Sequence, residues 1–104
     1  MKEKHFEHML KGIVKARGGE YLKLQNASWP DRIITFPHLP PIYIEIKKDG
    51  TKYDASNKQR RQLNRLQDLG YQAHLIDAND GGRAKLVAII DGVLNGQDIS
   101  DWQW

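Results

Sequence analysis

Ile42-Tyr43-Ile44-Glu45-Ile46-Lys47 alternates isoleucine with more polar side chains, the pattern of a β-strand with one buried face. Side chains along a strand point to opposite faces in turn. Ile44 and Ile46 therefore share one face, and Glu45 and Lys47 share the other. Upstream, Pro30-Asp31 opens a second β-run over Arg32 to Phe36, with Ile33 and Ile34 inside it. An acidic residue thus heads one strand, and an acid and a lysine sit two apart in the next. Two carboxylates and an ammonium converging on one edge of a small sheet make a set able to hold a divalent cation.

The remaining elements read outward from this pair. Residues 3 to 17 predict a helix, with Phe6, Leu10, Ile13, Val14 and Met9 at helical spacing. Gly18-Gly19 ends it, because glycine most easily takes the left-handed conformation at a helix stop. Residues 20 to 25 alternate and predict a strand, and Asn26 to Pro30 a loop. Pro37-His38-Leu39-Pro40-Pro41 is too rich in proline for a strand ladder and reads as a connection. Asp49-Gly50 is a turn signal. Ser56-Asn57-Lys58-Gln59 has the form of a capping box, Ser56 at the N-cap and Gln59 three residues on. The helix it opens runs to Leu69 on a face of Leu63, Leu66 and Leu69, and Gly70 stops it. Tyr71 to Ile76 predicts a fourth strand and Asp77 to Gly82 a loop. Leu86, Val87, Ile90, Val93 and Leu94 predict a last helix, although Leu86 to Ile90 alone also reads as a strand. The order is α-β-β-β-α-β-α, an α/β mixed sheet flanked by helices.

Bulk properties narrow the class. A chain of 104 residues, 39% hydrophobic and 28% charged, suits one small globular domain. It contains no cysteine, which excludes disulfides and thiolate zinc sites. No apolar run approaches the roughly 20 residues that span a bilayer. Met1-Lys2-Glu3-Lys4-His5 leads into a charged helix rather than an apolar signal core, so a cytoplasmic protein is expected. A net charge of +3 and a pI of about 9.2 permit a nucleic-acid partner without requiring one.

Together, an acid in the first helix, Pro-Asp at a strand start, Glu-x-Lys in the next strand and Ser-x-x-Gln opening a helix form an ordered set. It resembles the PD-(D/E)xK nuclease superfamily. More narrowly, it resembles the stand-alone virus-type replication-repair nuclease (VRR-NUC) domain of phages and bacteria. The matching residues are Gly18-Gly19, Lys23, Pro30-Asp31-Arg32, Ile44-Glu45-Ile46-Lys47, Gly50, Ser56, Gln59, Leu66 and Leu69-Gly70-Tyr71, within residues 3 to 77. Members often carry glycine ahead of Pro-Asp, where this chain has Ala27-Ser28-Trp29.

The resemblance implies a restriction-endonuclease-like core and metal-dependent hydrolysis of DNA phosphodiesters. Mg²⁺ and Mn²⁺ are hard cations that favour oxygen ligands. Asp31, Glu45, the backbone carbonyl of Ile46 and a helix-1 acid are the expected ligands, and Lys47 the catalytic lysine. For that acid, helical angle brings Glu3 closer to the apolar stripe, whereas the spacing to Gly18-Gly19 in similar enzymes points to Glu7, and Glu7 is the expected catalytic and metal-binding acid. Gln59 is expected at the site, as a cap partner, or as both. A homodimer acting on branched, Holliday-junction-like DNA is implied, because one chain offers one centre and a junction needs two cuts. Rival readings are a flap, single-strand or RNA nuclease, and a binding module without catalysis.

Each piece also has a plainer reading. Glu45 and Lys47 as a same-face pair on an exposed strand would be worth under about 1 kcal/mol. Lys58, Arg61 and Arg65 fall at i, i+3 and i+7, a basic stripe away from the leucines. Such a stripe is either a solvated helix face or a contact for phosphates, and beside a nuclease site the second is expected. Lys23, Lys48 and Ser56 complete the expected nucleic-acid contacts, and Arg60 and Lys52 extend the positive surface. His5, His8, His38 and His74 form no convincing ligand set. Trp102 and Trp104 are expected to pack on the body or on a second subunit.

Overall fold

The computed structural model describes residues 3–24, 30, 32–48, 50, 52 and 57–96. Along them run α1 (Glu3–Ala16), β1 (Glu20–Lys23), β2 (Arg32–Thr35), β3 (Ile42–Lys47), α2 (Lys58–Asp68), β4 (Gln72–Asp77) and α3 (Asp80–Leu94). The strands form one mixed sheet of four in the order β1-β2-β3-β4, flanked by helices. The first two pairings are antiparallel, and β3 and β4 run parallel with Glu45 beside Leu75 and Lys47 beside Asp77. Asp31, Ser56, Trp102 and Trp104 lie outside the described residues, as does the side chain of Glu3.

Alternation along β3 divides the interior into two layers. Ile42, Ile44 and Ile46 are buried with Phe6, Leu10 and Val14 of α1, Ile34, Ile76, and Leu86, Ile89 and Ile90 of α3. On the other face Leu63 and Leu66 of α2 pack on Ala73, with Tyr43 and Leu75 alongside. Each enclosed Leu or Ile contributes roughly 2 kcal/mol from the apolar surface it removes from water.

Both glycine stops close their helices in the same way. The Gly18 N–H donates to the Lys15 carbonyl and the Gly19 N–H to Val14, with Gly18 at φ +84°. Gly70, at φ +94°, donates to Gln67, and Tyr71 to Leu66. Each is a Schellman motif, and its left-handed residue is a glycine because a Cβ would be strained there.

Two boundaries differ from the sequence expectation. The N-cap of α2 is Asn57 rather than Ser56, its side-chain oxygen accepting from the Arg60 N–H at 3.1 Å. Asparagine caps as well as serine does, so the box pattern was one residue out of phase. The span Asp77 to Gly82, expected as a loop, is the end of β4 followed by the first turn of α3. Asn79 caps that helix by accepting from the Gly82 N–H at 2.8 Å. Gly82 signals close packing rather than a turn, since a Cβ there would lie 1.8 Å from the Asp77 carbonyl oxygen.

The outer edge of β4 is capped along its length. The Ala78 N–H donates to the Lys47 carbonyl, which fixes the even residues of β4 toward β3 and the odd ones outward. The odd carbonyls are taken in turn. Ala73 accepts from Gln67 Nε2 at 2.6 Å, Leu75 from Lys85 Nζ at 2.8 Å and Asp77 from the Asn79 N–H at 2.8 Å. An edge so capped is a poor template for pairing with another strand.

Candidate active site

Glu45 and Lys47 lie on the α2 side of β3, because Ile44 and Ile46 are committed to the other layer. Both are half-buried, and Oε2 of Glu45 is fully enclosed. The chain leaves β3, passes through α2 and returns as the parallel strand β4. Helix α2 must therefore run opposite to both strands. Its C-terminal turn lies by the start of β4, where Gln67 bonds Ala73, so its N-terminus lies toward the C-terminal end of β4, the strand that pairs with β3. That helix end carries partial positive charge and no acidic side chain in its first turn. The crevice beyond the C-terminal ends of parallel strands is where open α/β sheets bind ligands.

Lys47 is held in place. Its ammonium lies 2.7 Å from Oδ1 of Asp77, its register neighbour on β4. Sequence reading assigned Asp77 to a loop and missed it. The only available clue was the parallel pairing itself, which a single sequence does not display. Lys85 of α3 feels the Asp77 charge as well, while burial pushes its own ammonium below the usual lysine range. Gln59 is half-buried one turn ahead of Leu63, in the first turn of α2. Gln62, also half-buried, carries an enclosed Oε1 with no hydrogen-bond partner among the described residues.

Glu7 is placed on the other face. Oε1 of Glu7 pairs with Nε of Arg32 and accepts from the Tyr21 hydroxyl at 3.1 Å. Arg32 stands opposite Ile44 in the ladder, and cross-strand partners share a face, so Arg32 points to the α1 layer. Strand alternation thus separates Glu7 from Glu45. The hydrogen bond from Arg32 leads the causes that hold the Glu7 carboxyl below its ordinary range, against an opposing push from burial. Burial, followed by the Glu7 charge, pushes the Tyr21 hydroxyl up.

Among the described residues no three His, Asp or Glu side chains gather as a metal-holding group, and Asp31 lies outside them. The donors that can be assessed are oxygen donors. The pairing of β2 with β3 ends at Arg32 and Ile44, two residues before the Ile46 carbonyl. A carboxylate at Glu45 and that carbonyl suit a hard divalent cation.

The basic positions divide between surfaces. Lys58, Arg61 and Arg65 are exposed along α2, away from the buried leucines, and Lys48 is exposed just past β3. Lys23 is exposed at the end of β1 and belongs instead with Lys4, Glu7, His8, Lys11 and Arg32 around a basin of about 470 Å³ on the α1 side. Among the described residues no helix is long and apolar enough to cross a membrane. Compared with family models, with curated proteins and with solved structures, the chain matches none.

Proposed function

We propose that this chain is a metal-dependent nuclease of the restriction-endonuclease-like, VRR-NUC kind that hydrolyses DNA phosphodiesters. The observation that carries the reading is the placement of Glu45 and Lys47. They share one face at the C-terminal end of β3, with the Lys47 ammonium held by Asp77. Glu45, the Ile46 carbonyl and Asp31 would hold Mg²⁺ or Mn²⁺. When bound, the cation lowers the pKa of a coordinated water and stabilises charge on the phosphate.

The chain's own groups do the rest. Lys47 presents a positioned positive charge toward the phosphate, where charge grows in the transition state. Asp77 restricts the lysine to that orientation. The N-terminal N–H groups of α2 favour an anion in front of Gln59. Glu7 enters as the group that neutralises and holds Arg32. The exposed stripe of Lys58, Arg61 and Arg65, with Lys48, follows the nucleic-acid backbone. Paired cuts in branched DNA need two such centres, so a homodimer acting on four-way junctions is the preferred substrate reading.

The test is cleavage of a labelled four-way junction and a matched linear duplex in Mg²⁺, Mn²⁺ or EDTA. Wild type is compared with Lys47→Ala and Asp31→Ala. Metal-dependent cutting that both variants lose is the expected result. Pure, folded wild type that binds DNA but never cuts it would replace this reading with a non-catalytic binding module.

A further inference from the structure

The basin on the α1 side lies across the sheet from Glu45 and Lys47, and the proposed chemistry does not use it. Its rim carries Lys4, His8 and Lys11 from one side of α1 and Lys23 from the end of β1. Its floor is Arg32, 3% exposed and clamped by Glu7. Four cationic side chains face one carboxylate, a formal surplus of +3, as large as that of the whole chain. The remaining charges of the chain therefore sum to zero, although they include the separate basic stripe on α2. The wall is ordered by specific contacts, with Lys11 Nζ 5.9 Å from the centre of the Tyr21 ring and the Tyr21 hydroxyl bonded to Glu7.

Like charges drawn together this closely repel, and a polyanion relieves that repulsion. Lys4 and Lys11 are seven residues apart, roughly 10 Å along a helix axis at about 1.5 Å per residue. A DNA strand carries one charge per roughly 3.4 Å of axis, so a rim of this length can meet more than one phosphate. The basin also shares one end of the sheet with the candidate active site. Lys23 pairs with Arg32, and Arg32 with Ile44, the neighbour of Glu45. Two strand spacings of roughly 4.8 Å separate the backbones of Lys23 and Ile44 in the plane of the sheet.

We infer that this basin is a second nucleic-acid site, which takes the phosphodiester backbone of DNA on the face of the sheet opposite Glu45 and Lys47. The inference rests on the nucleic-acid half of the proposed function and does not require catalysis.

Binding of a fluorescein-labelled 20-base-pair duplex is followed by anisotropy in EDTA from 50 to 200 mM salt. Wild type is compared with Lys11→Gln/Lys23→Gln and with a charge-matched control, Lys15→Gln/Arg83→Gln; all four positions of the two variants are exposed. Thermal melts check that each variant is folded. Each phosphate contact contributes about −0.9 to the slope of log affinity against log salt. The basin variant is expected to lose about two units of slope and about tenfold in affinity, with the control within twofold of wild type. That result supports the site even if wild type never cuts DNA. Equal losses in both variants, or none in the basin variant, overturn it and leave the nuclease reading to its own cleavage assay. If wild type ignores the duplex but inorganic phosphate or pyrophosphate perturbs Lys11 and Lys23 by NMR, the ligand is a free phosphate and the nucleic-acid site is overturned.

Discussion

Lys47 and Asp77 stand side by side at the ends of parallel β3 and β4, ammonium to carboxylate at 2.7 Å. The Asp77 side chain is 45% exposed, so the pair adds little to stability, under about 1 kcal/mol. Its value is orientation. Asp77→Asn should leave the urea midpoint nearly unchanged and slow metal-dependent cleavage about tenfold. Lys47→Ala should slow it at least about a hundredfold, as removal of a transition-state charge partner does. Single-turnover rates at saturating protein read both. An Asp77→Asn enzyme that cuts at the wild-type rate would remove Asp77 from the site.

The Glu7–Arg32 pair has the opposite balance, with Arg32 almost wholly enclosed. Glu7→Ala removes the carboxylate that pairs with the enclosed guanidinium and should cost about 2–4 kcal/mol in urea unfolding at pH 7. The folded-state pKa of Glu7 lies below its ordinary value of 4.5. Its stabilisation is therefore complete above about pH 4.5 and is lost as pH falls through the folded-state value. Glu7→Gln should flatten that acid limb. A variant as acid-sensitive as wild type below pH 4.5 would show that other carboxylates control it.

His74 titrates in a separate window. It is 1% exposed, and burial, aided by the Lys85 charge, lowers its pKa from 6.5 to about 4. Its Nε2 lies 2.9 Å from Gln72 Oε1, which accepts a hydrogen bond from the Nε2–H tautomer of the neutral ring. Between pH 6.5 and 4 the unfolded chain takes up this proton and the folded chain does not, so stability falls as pH falls. A shift of that size amounts to about 3 kcal/mol across the window. His74→Gln should remove most of the slope. Chemical denaturation at pH 7.5 and pH 4.5 measures it, and an unchanged slope would contradict the assignment.

Gly82→Ala should be among the most damaging single-methyl changes in the chain. The new Cβ would meet the Asp77 carbonyl at 1.8 Å, and neither β4 nor the α3 N-terminus can retreat without breaking the other's hydrogen bonds. A loss of more than about 2 kcal/mol is expected, at the upper end of the overpacking range. Gly81→Ala is the control, because the nearest atom to its Cβ is the Asn79 side-chain oxygen at 3.3 Å. Similar melting temperatures for the two variants would refute the close approach.

Several elements were legible from local chemistry alone. Phe6, Leu10 and Val14 recur at helical spacing and are fully buried, and both glycine stops close their helices. Helix α3 was read less well. Ile89 is buried and was not included in the expected face, while Leu94 was included and is exposed. The paired glycines at its start looked like a loop because a packing glycine and a turn glycine are identical in sequence.

By itself, the sequence determined which face of β3 is apolar, and hence that Glu45 and Lys47 point the same way. It also determined where α1 and α2 stop. These follow from periodicity and from the conformational freedom of glycine, which act within a few residues. The tertiary structure alone decided that Glu7 meets Arg32, that Lys47 meets Asp77, and that Lys4, Lys11 and Lys23 share one basin. Those meetings depend on strand order and on parallel or antiparallel register. Both are set by how the sheet's two apolar layers close over residues far apart in the chain, and no local window contains that information.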